Sequence, residues 1–143
     1  MFTSFLDNSK ALTWLFSTVF VAFLPILIRF IVWVFGNFPS FSIYSISDIF
    51  LFSLIIHLSV IHELRHLVSE ELKGWRDKFI ILSVVFIFII MIFLLCSYLN
   101  EASKNFNEVA LLVMSIFFAL VSVVIGFNIF YKTCCQIPDS SSV

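Results

Sequence analysis

Four apolar stretches, each long enough to cross a bilayer, leave this chain little freedom in how it can fold. They run Leu12–Phe35, Phe41–Ile61, Phe79–Leu99 and Val109–Tyr131. A hydrocarbon core about 30 Å thick is crossed by about 20 residues of helix. Inside it every backbone N–H and C=O must be satisfied within the segment, which a helix does and a loop does not. The expected fold is therefore all-α: a polytopic membrane protein with four transmembrane helices in an antiparallel bundle. Composition agrees, with 62% hydrophobic and 12% charged residues and a mean hydropathy of +1.14. A soluble domain carries about 25% charged residues, so this chain has too little charge to coat a water-facing surface of normal size.

Gly36, Asn37, Pro39 and Ser40 supply the first turn, Gly74 is expected to break the second connection, and Asn100–Asn107 supplies the third. The chain reads as one domain with no residues left for a folded soluble unit. Asp7 and Lys10 precede an apolar stretch too long for the core of a cleavable signal, and no small-residue cleavage site follows. Positive charge orients membrane proteins with their Lys and Arg on the cytoplasmic side. Arg65, Lys73, Arg76 and Lys78 lie between the second and third spans, with Lys10 and Lys132 on the same side. The opposite side has Lys104 beside Glu101 and Glu108. Both termini are thus expected in the cytoplasm, and a bacterial inner membrane suits the arrangement. Trp14, Trp33 and Trp75 stand near span ends, as interfacial anchors do.

The second span contains no Gly or Pro between Phe41 and Lys73. Its helix is expected to run past His66 and out of the membrane, giving spans of about 12–35, 41–66, 79–99 and 109–131 with a cytoplasmic helical extension and loop over 62–78. This is the main polar surface, and Arg65, Glu70, Lys73 and Arg76 are the residues expected to meet a cytoplasmic protein partner. Net charge is −1 and pI about 6.2, so the basic footprint of direct nucleic-acid binding is missing.

His62-Glu63-Leu64-Arg65-His66 matches H-E-x-x-H on a predicted helix. Two histidines four apart share a face and can hold zinc, with the glutamate as base. The motif resembles that of zinc metalloproteases, including the site-2 intramembrane proteases, which would make His62 and His66 ligands and Glu63 the base. That family takes a third ligand from an Asp on a later span. Here the fourth span offers Gly126-Phe127-Asn128 and no Asp, Glu70 and Glu71 are too near on the same helix, and Glu101 and Glu108 lie across the bilayer. A polar helix end emerging from lipid suits the same five residues, and that is the reading taken. No catalytic residues, metal or cofactor are assigned.

Ionisable groups in hydrocarbon cost about 2.5–3.5 kcal/mol on insertion scales, so Arg29 and Asp48 each need a partner or an exit. Folding the first two spans back at Phe38–Pro39 puts both roughly 9 Å below the outer surface on neighbouring helices. An intramembrane ion pair is one reading. The other has Arg29 snorkelling outward and Asp48 capping a shorter second helix. His57 falls about 7 Å beneath the cytoplasmic boundary, where a neutral ring bonded to a serine is expected and a proton-responsive group is the alternative. Ser115, Ala119, Ser122 and Gly126 put small side chains on one face of the fourth span, the pattern that lets membrane helices approach closely. They mark either packing inside the chain or a seam for a homo-oligomer. The 20 phenylalanines, interleaved with Ile and Val on every span, read as lipid-facing and packing bulk.

Of three cysteines, Cys96 lies inside a span and Cys134 and Cys135 follow the last one; reduced thiols near the cytoplasmic face are expected, open to palmitoylation in a eukaryotic source. The tail ends Ser141-Ser142-Val143, a sequence that would suit a PDZ groove.

In size, four-span topology and an Ile/Phe/Ser/Asn-rich vocabulary, the chain resembles the membrane subunit of the Kiwa anti-phage system, which works with a cytosolic DNA-binding protein. It is also similar in plan to immunity proteins against pore-forming colicins. The missing catalytic constellation, the projecting charged helix and the small-residue face point to a non-enzymatic membrane scaffold or sensor. It would self-associate and couple to a cytoplasmic partner through the connection between spans two and three, and the first resemblance implies a role in anti-phage defence. The second implies a protein that binds a toxin's pore-forming helices within the bilayer.

Overall fold

The computed structural model describes residues 9–36, 45–66 and 72–136, and side chains at 17–36, 45–65 and 72–133. Among these residues lie four helices: α1 Ser9–Phe35, α2 Ile46–His66, α3 Lys73–Ser103 and α4 Glu108–Gln136. All four are long and apolar enough to cross a membrane, the architecture of an integral membrane protein.

Each helix turns one stripe inward, at spacings of three and four residues. On α2 the stripe is Ile46, Phe50, Ser53, His57, Val60 and Leu64, all buried. On α3 it runs through Ser83, Phe86, Ile90, Phe93 and Ser97, and on α4 through Leu111, Ser115, Phe118, Ser122 and Gly126. Alternating steps of three and four keep a stripe on one side of a helix that has 3.6 residues per turn. The remaining faces of α1, α3 and α4 expose Phe20, Phe30, Ile81, Phe88, Ile92, Leu95, Val113, Leu120 and Val124. Polar residues inward and large apolar residues outward is the distribution a lipid solvent favours.

α2 is the least hydropathic of the four and the most enclosed. Of its membrane-length window 44% is buried, against 11%, 17% and 28% for α1, α3 and α4. It packs along α1, α3 and α4, whereas α3 and α4, though consecutive, touch one another far less. The contacts fix relative directions. Arg29 meets Asp48 and Thr18 meets Ser59, so α1 runs opposite to α2. As α2 advances through Ser47, Phe50 and His57, its partners on α3 recede through Ser97, Phe93 and Phe86. α4 runs with α2, since Phe118 meets Phe50 and Gly126 faces Ile56 and Val60.

The packed interior falls into two clusters. Ile46, Phe50, Ile90, Leu94, Leu111 and Phe118 form the first. Phe118 is its hub, with ring centroids 6.3 Å from Phe50, 5.5 Å from Phe93 and 6.1 Å from Phe86. The second gathers Ala22, Ile56, Val60, Leu64 and Ile129 toward the other end, under Trp75 and Phe79.

Element boundaries depart from the hydropathy pattern for local reasons. α3 begins at Lys73 rather than Phe79. Gly74 therefore lies in its first turn, where the added freedom of glycine costs little, and does not break the connection. At 1.5 Å per residue its 31 residues reach about 46 Å, longer than a bilayer core. Its far end stops at Lys104, which takes the left-handed conformation (φ 52°) and donates its N–H to Asn100 O at 2.9 Å. Asn100 Oδ1 accepts from Phe106 N at 2.9 Å, and Asn107 Oδ1 accepts from Ala110 N at 3.2 Å, capping α4. The turn expected over Asn100–Asn107 thus shortens to residues 104–107, with both asparagines holding the chain on either side. Ser45 caps α2, its Oγ accepting from Ser47 N at 3.2 Å, so Asp48 is not the cap.

Candidate functional site: a charged end and a polar seam

The C-terminal end of α2, the start of α3 and the end of α4 meet around the second cluster. Trp75 meets Phe79 at a tilt, with ring centroids 4.8 Å apart, and Lys132 Nζ lies 4.5 Å above the Trp75 ring. This contact ties α4 to α3 through a cation–π attraction. Around it stand His62, Glu63 and Arg65 on α2, and Lys73, Arg76, Asp77 and Lys78 on α3. Arg65 and Lys73 are exposed; Arg76 is half-buried, and its Nε donates to Asp77 Oδ1 at 3.1 Å. Three of the four residues expected to meet a partner thus gather at one end. The fourth, Glu70, lies outside the described residues, as does the stretch through which α2 was expected to continue beyond His66.

His62 is exposed on the last turn of α2. The side chains of His66, Glu70 and Glu71 fall outside the described set, so the H-E-x-x-H constellation is described at His62 and Glu63 only. Among the described residues no group of three or more His, Cys, Asp or Glu side chains is placed to hold a metal ion.

The opposite end carries a polar knot. Arg29 Nε donates to Asp48 Oδ2 from α1 to α2, with the side chains 24% and 12% exposed. Removing either partner would leave a charge in a poorly solvated place. Beside it Ser45 Oγ and Ser47 Oγ both donate to Glu101 Oε1 at 2.7 and 3.2 Å, and Ser47 Oγ lies 3.0 Å from Ser97 Oγ. The Glu101 carboxylate therefore sits against the N-terminus of α2, where the helix dipole favours negative charge. None of Ser45, Ser47, Ser97 and Glu101 stands out in the sequence as a site. The available signal is that polar residues in a membrane helix turn inward, and α2 has an unusual run of them at its start.

Along α4, Ser115 and Ser122 are fully buried, Gly126 is buried and Ala119 half-buried. A Cβ added at Gly126 would lie 3.2 Å from Ile56 Cγ2 and 3.7 Å from Val60 Cγ2. This small-residue face is occupied inside the chain by α2, so it is not open to a second copy. His57 departs from expectation. It is fully buried and stacks on Phe86 at 5.1 Å, with no hydrogen-bond partner for either ring nitrogen among the described residues. The serine bond expected for it is not made among the described residues; Ser53, one turn away, donates its hydroxyl to Ile49 O at 3.1 Å.

Cys96 is a free thiol, half-buried within α3; Cys134 and Cys135 lie on the last turn of α4. Comparison with protein-family models, with curated proteins and with solved structures finds no match to this chain.

Proposed function

We propose that the chain is a non-enzymatic membrane scaffold or sensor that couples to a cytoplasmic protein through the connection between α2 and α3. In this reading the helices form an antiparallel bundle in a bacterial inner membrane, with both termini in the cytoplasm. The observation that carries it is the asymmetry between the ends. Among the described residues, Arg65, Lys73, Arg76, Lys78 and Lys132 gather at one end beside Glu63 and Asp77, and the connection between α2 and α3 also holds Glu70 and Glu71. At the other, Arg29 is matched by Asp48, and Glu101 is engaged by two serines. The excess of Lys and Arg at the first end supports a cytoplasmic placement, and these side chains suit a partner bearing acidic residues. Anti-phage defence belongs to the proposal through the likeness in size and span number. Self-association, where it occurs, falls to lipid-facing sides of α1, α3 or α4, since the small-residue face of α4 is taken by α2.

The test is affinity purification of the full chain from its native cells in mild detergent, with the mass and composition of the complex determined. The reading expects a soluble protein at fixed stoichiometry. Charge reversal at Glu70, Lys73 and Arg76 should abolish its capture while the chain still inserts and elutes at the same size. Unchanged capture sinks the docking surface. A chain that purifies without a soluble partner and protects cells from a pore-forming toxin supports the immunity reading instead.

A further inference from the structure

The seam between α2 and α3 contains three buried hydrogen-bonding atoms with no partner among the described residues: His57 Nδ1, His57 Nε2 and Ser83 Oγ. Both residues are fully buried. Both neighbour Phe86 of α3: His57 stacks on its ring, and Ser83 lies one turn from it on the same face. That step is about 4.5 Å along the helix axis. We propose that His57 and Ser83 form an internal site for one small neutral hydrogen-bonding molecule, and that this molecule is water.

The other seam hydroxyls show why these two differ. Ser53, Ser115 and Ser122 turn onto carbonyls of their own helices at 3.1, 2.8 and 2.7 Å, and Ser47 and Ser97 bond each other across the seam. Ser83 has a carbonyl one turn back, as they do, yet does not use it. A neutral imidazole has one donor and one acceptor, and a hydroxyl has one donor and two acceptor lone pairs. Water carries both in excess and needs two to four polar partners to be retained in an interior. Leaving these atoms bare in a membrane interior would be costly, and a shared water removes that cost at Ser83 and at one ring nitrogen of His57. The site does not depend on what the charged end binds.

The experiment is water-to-histidine magnetisation transfer on the full chain in lipid vesicles, labelled with ¹⁵N-histidine. The chain has three histidines, and the signal lost in His57→Phe identifies the buried ring. The proposal expects that ring to receive magnetisation from water despite its burial. Ser83→Ala should at least halve the transfer, whereas Ser53→Ala should leave it unchanged. No transfer to His57 while His62 receives it overturns the site. Transfer that Ser83→Ala does not alter also overturns it, because the water would not then be shared.

Discussion

At the Ser45–Asp48 end of α2, polar side chains reach across to other helices: Asp48 to Arg29, Ser47 to Ser97, and both Ser45 and Ser47 to Glu101. Near the middle of the same stripe, Ser53 bonds its own helix and His57 bonds no described residue. The first region is cross-linked by directional bonds that fix register. The second is held by ring stacking and close contact, which carry no comparable angular demand. A membrane interior makes the contrast sharper, because lipid competes with apolar packing but offers no substitute for a lost hydrogen bond. The knot sets where the helices stand, and the seam lets them lie close.

The largest effect should come from cutting the knot at its ion pair. Arg29→Leu leaves the Asp48 carboxylate buried alone and should cost about 3 kcal/mol, read from unfolding in mixed micelles. The double variant Arg29→Leu/Asp48→Leu should recover most of the loss. If the double variant is as unstable as the single, the charges do not act as a pair. Next in size is the seam. Gly126→Val forces branched carbon toward Ile56 and Val60 and should cost about 2 kcal/mol by overpacking. Ser122→Ala, whose hydroxyl serves its own helix, should stay within about 0.5 kcal/mol of the parent. Equal losses would erase the distinction between bonds across helices and bonds along them.

Glu101→Ala should cost about 1 kcal/mol by removing the acceptor for Ser45 and Ser47. A cross-link between cysteines placed at Ser47 and Ser97 would form more slowly in that variant if the carboxylate holds the two helices in register. The smallest change is a gain. Lys104→Gly relieves a left-handed conformation that costs an L-residue about 1 kcal/mol, and the unfolding free energy should rise by that order. No gain would mean that the turn's asparagine bonds already dictate its backbone.

The spans were legible because bilayer thickness imposes a length that hydropathy reports directly. Their ends were not, because helices stop at caps and hydrogen bonds. α3 reaches back to Lys73 across charged residues that water tolerates on a helix, and forward to Ser103, where Lys104 turns the chain. Gly74 looked like a breaker because glycine weakens a helix interior, yet in the first turn it interrupts little. Arg29 and Asp48 were readable as possible partners from their equal distance to the turn between them. Ser45, Ser47 and Ser97 were not, since a serine in an apolar run can bond its own carbonyl as cheaply as a neighbour, and only the three-dimensional register decides. The stripe of small residues on α4 was readable as a contact face, but not which helix fills it; Ile56 and Val60 settle that.

The central position of α2 bears on how the chain is made. A ribosome completes α2 before α3 and α4 exist, so this least apolar helix, with Asp48 and His57 on its inner face, leaves the insertion machinery beside α1 and before either of them. Thr18 and Arg29 then offer Ser59 and Asp48 their partners early, whereas Ser47 and Ser97 must wait for the next helix to be synthesised. α1 in this sense chaperones α2. A nascent chain stopped after residue 66 should hold α2 in the bilayer only while those two pins to α1 are intact.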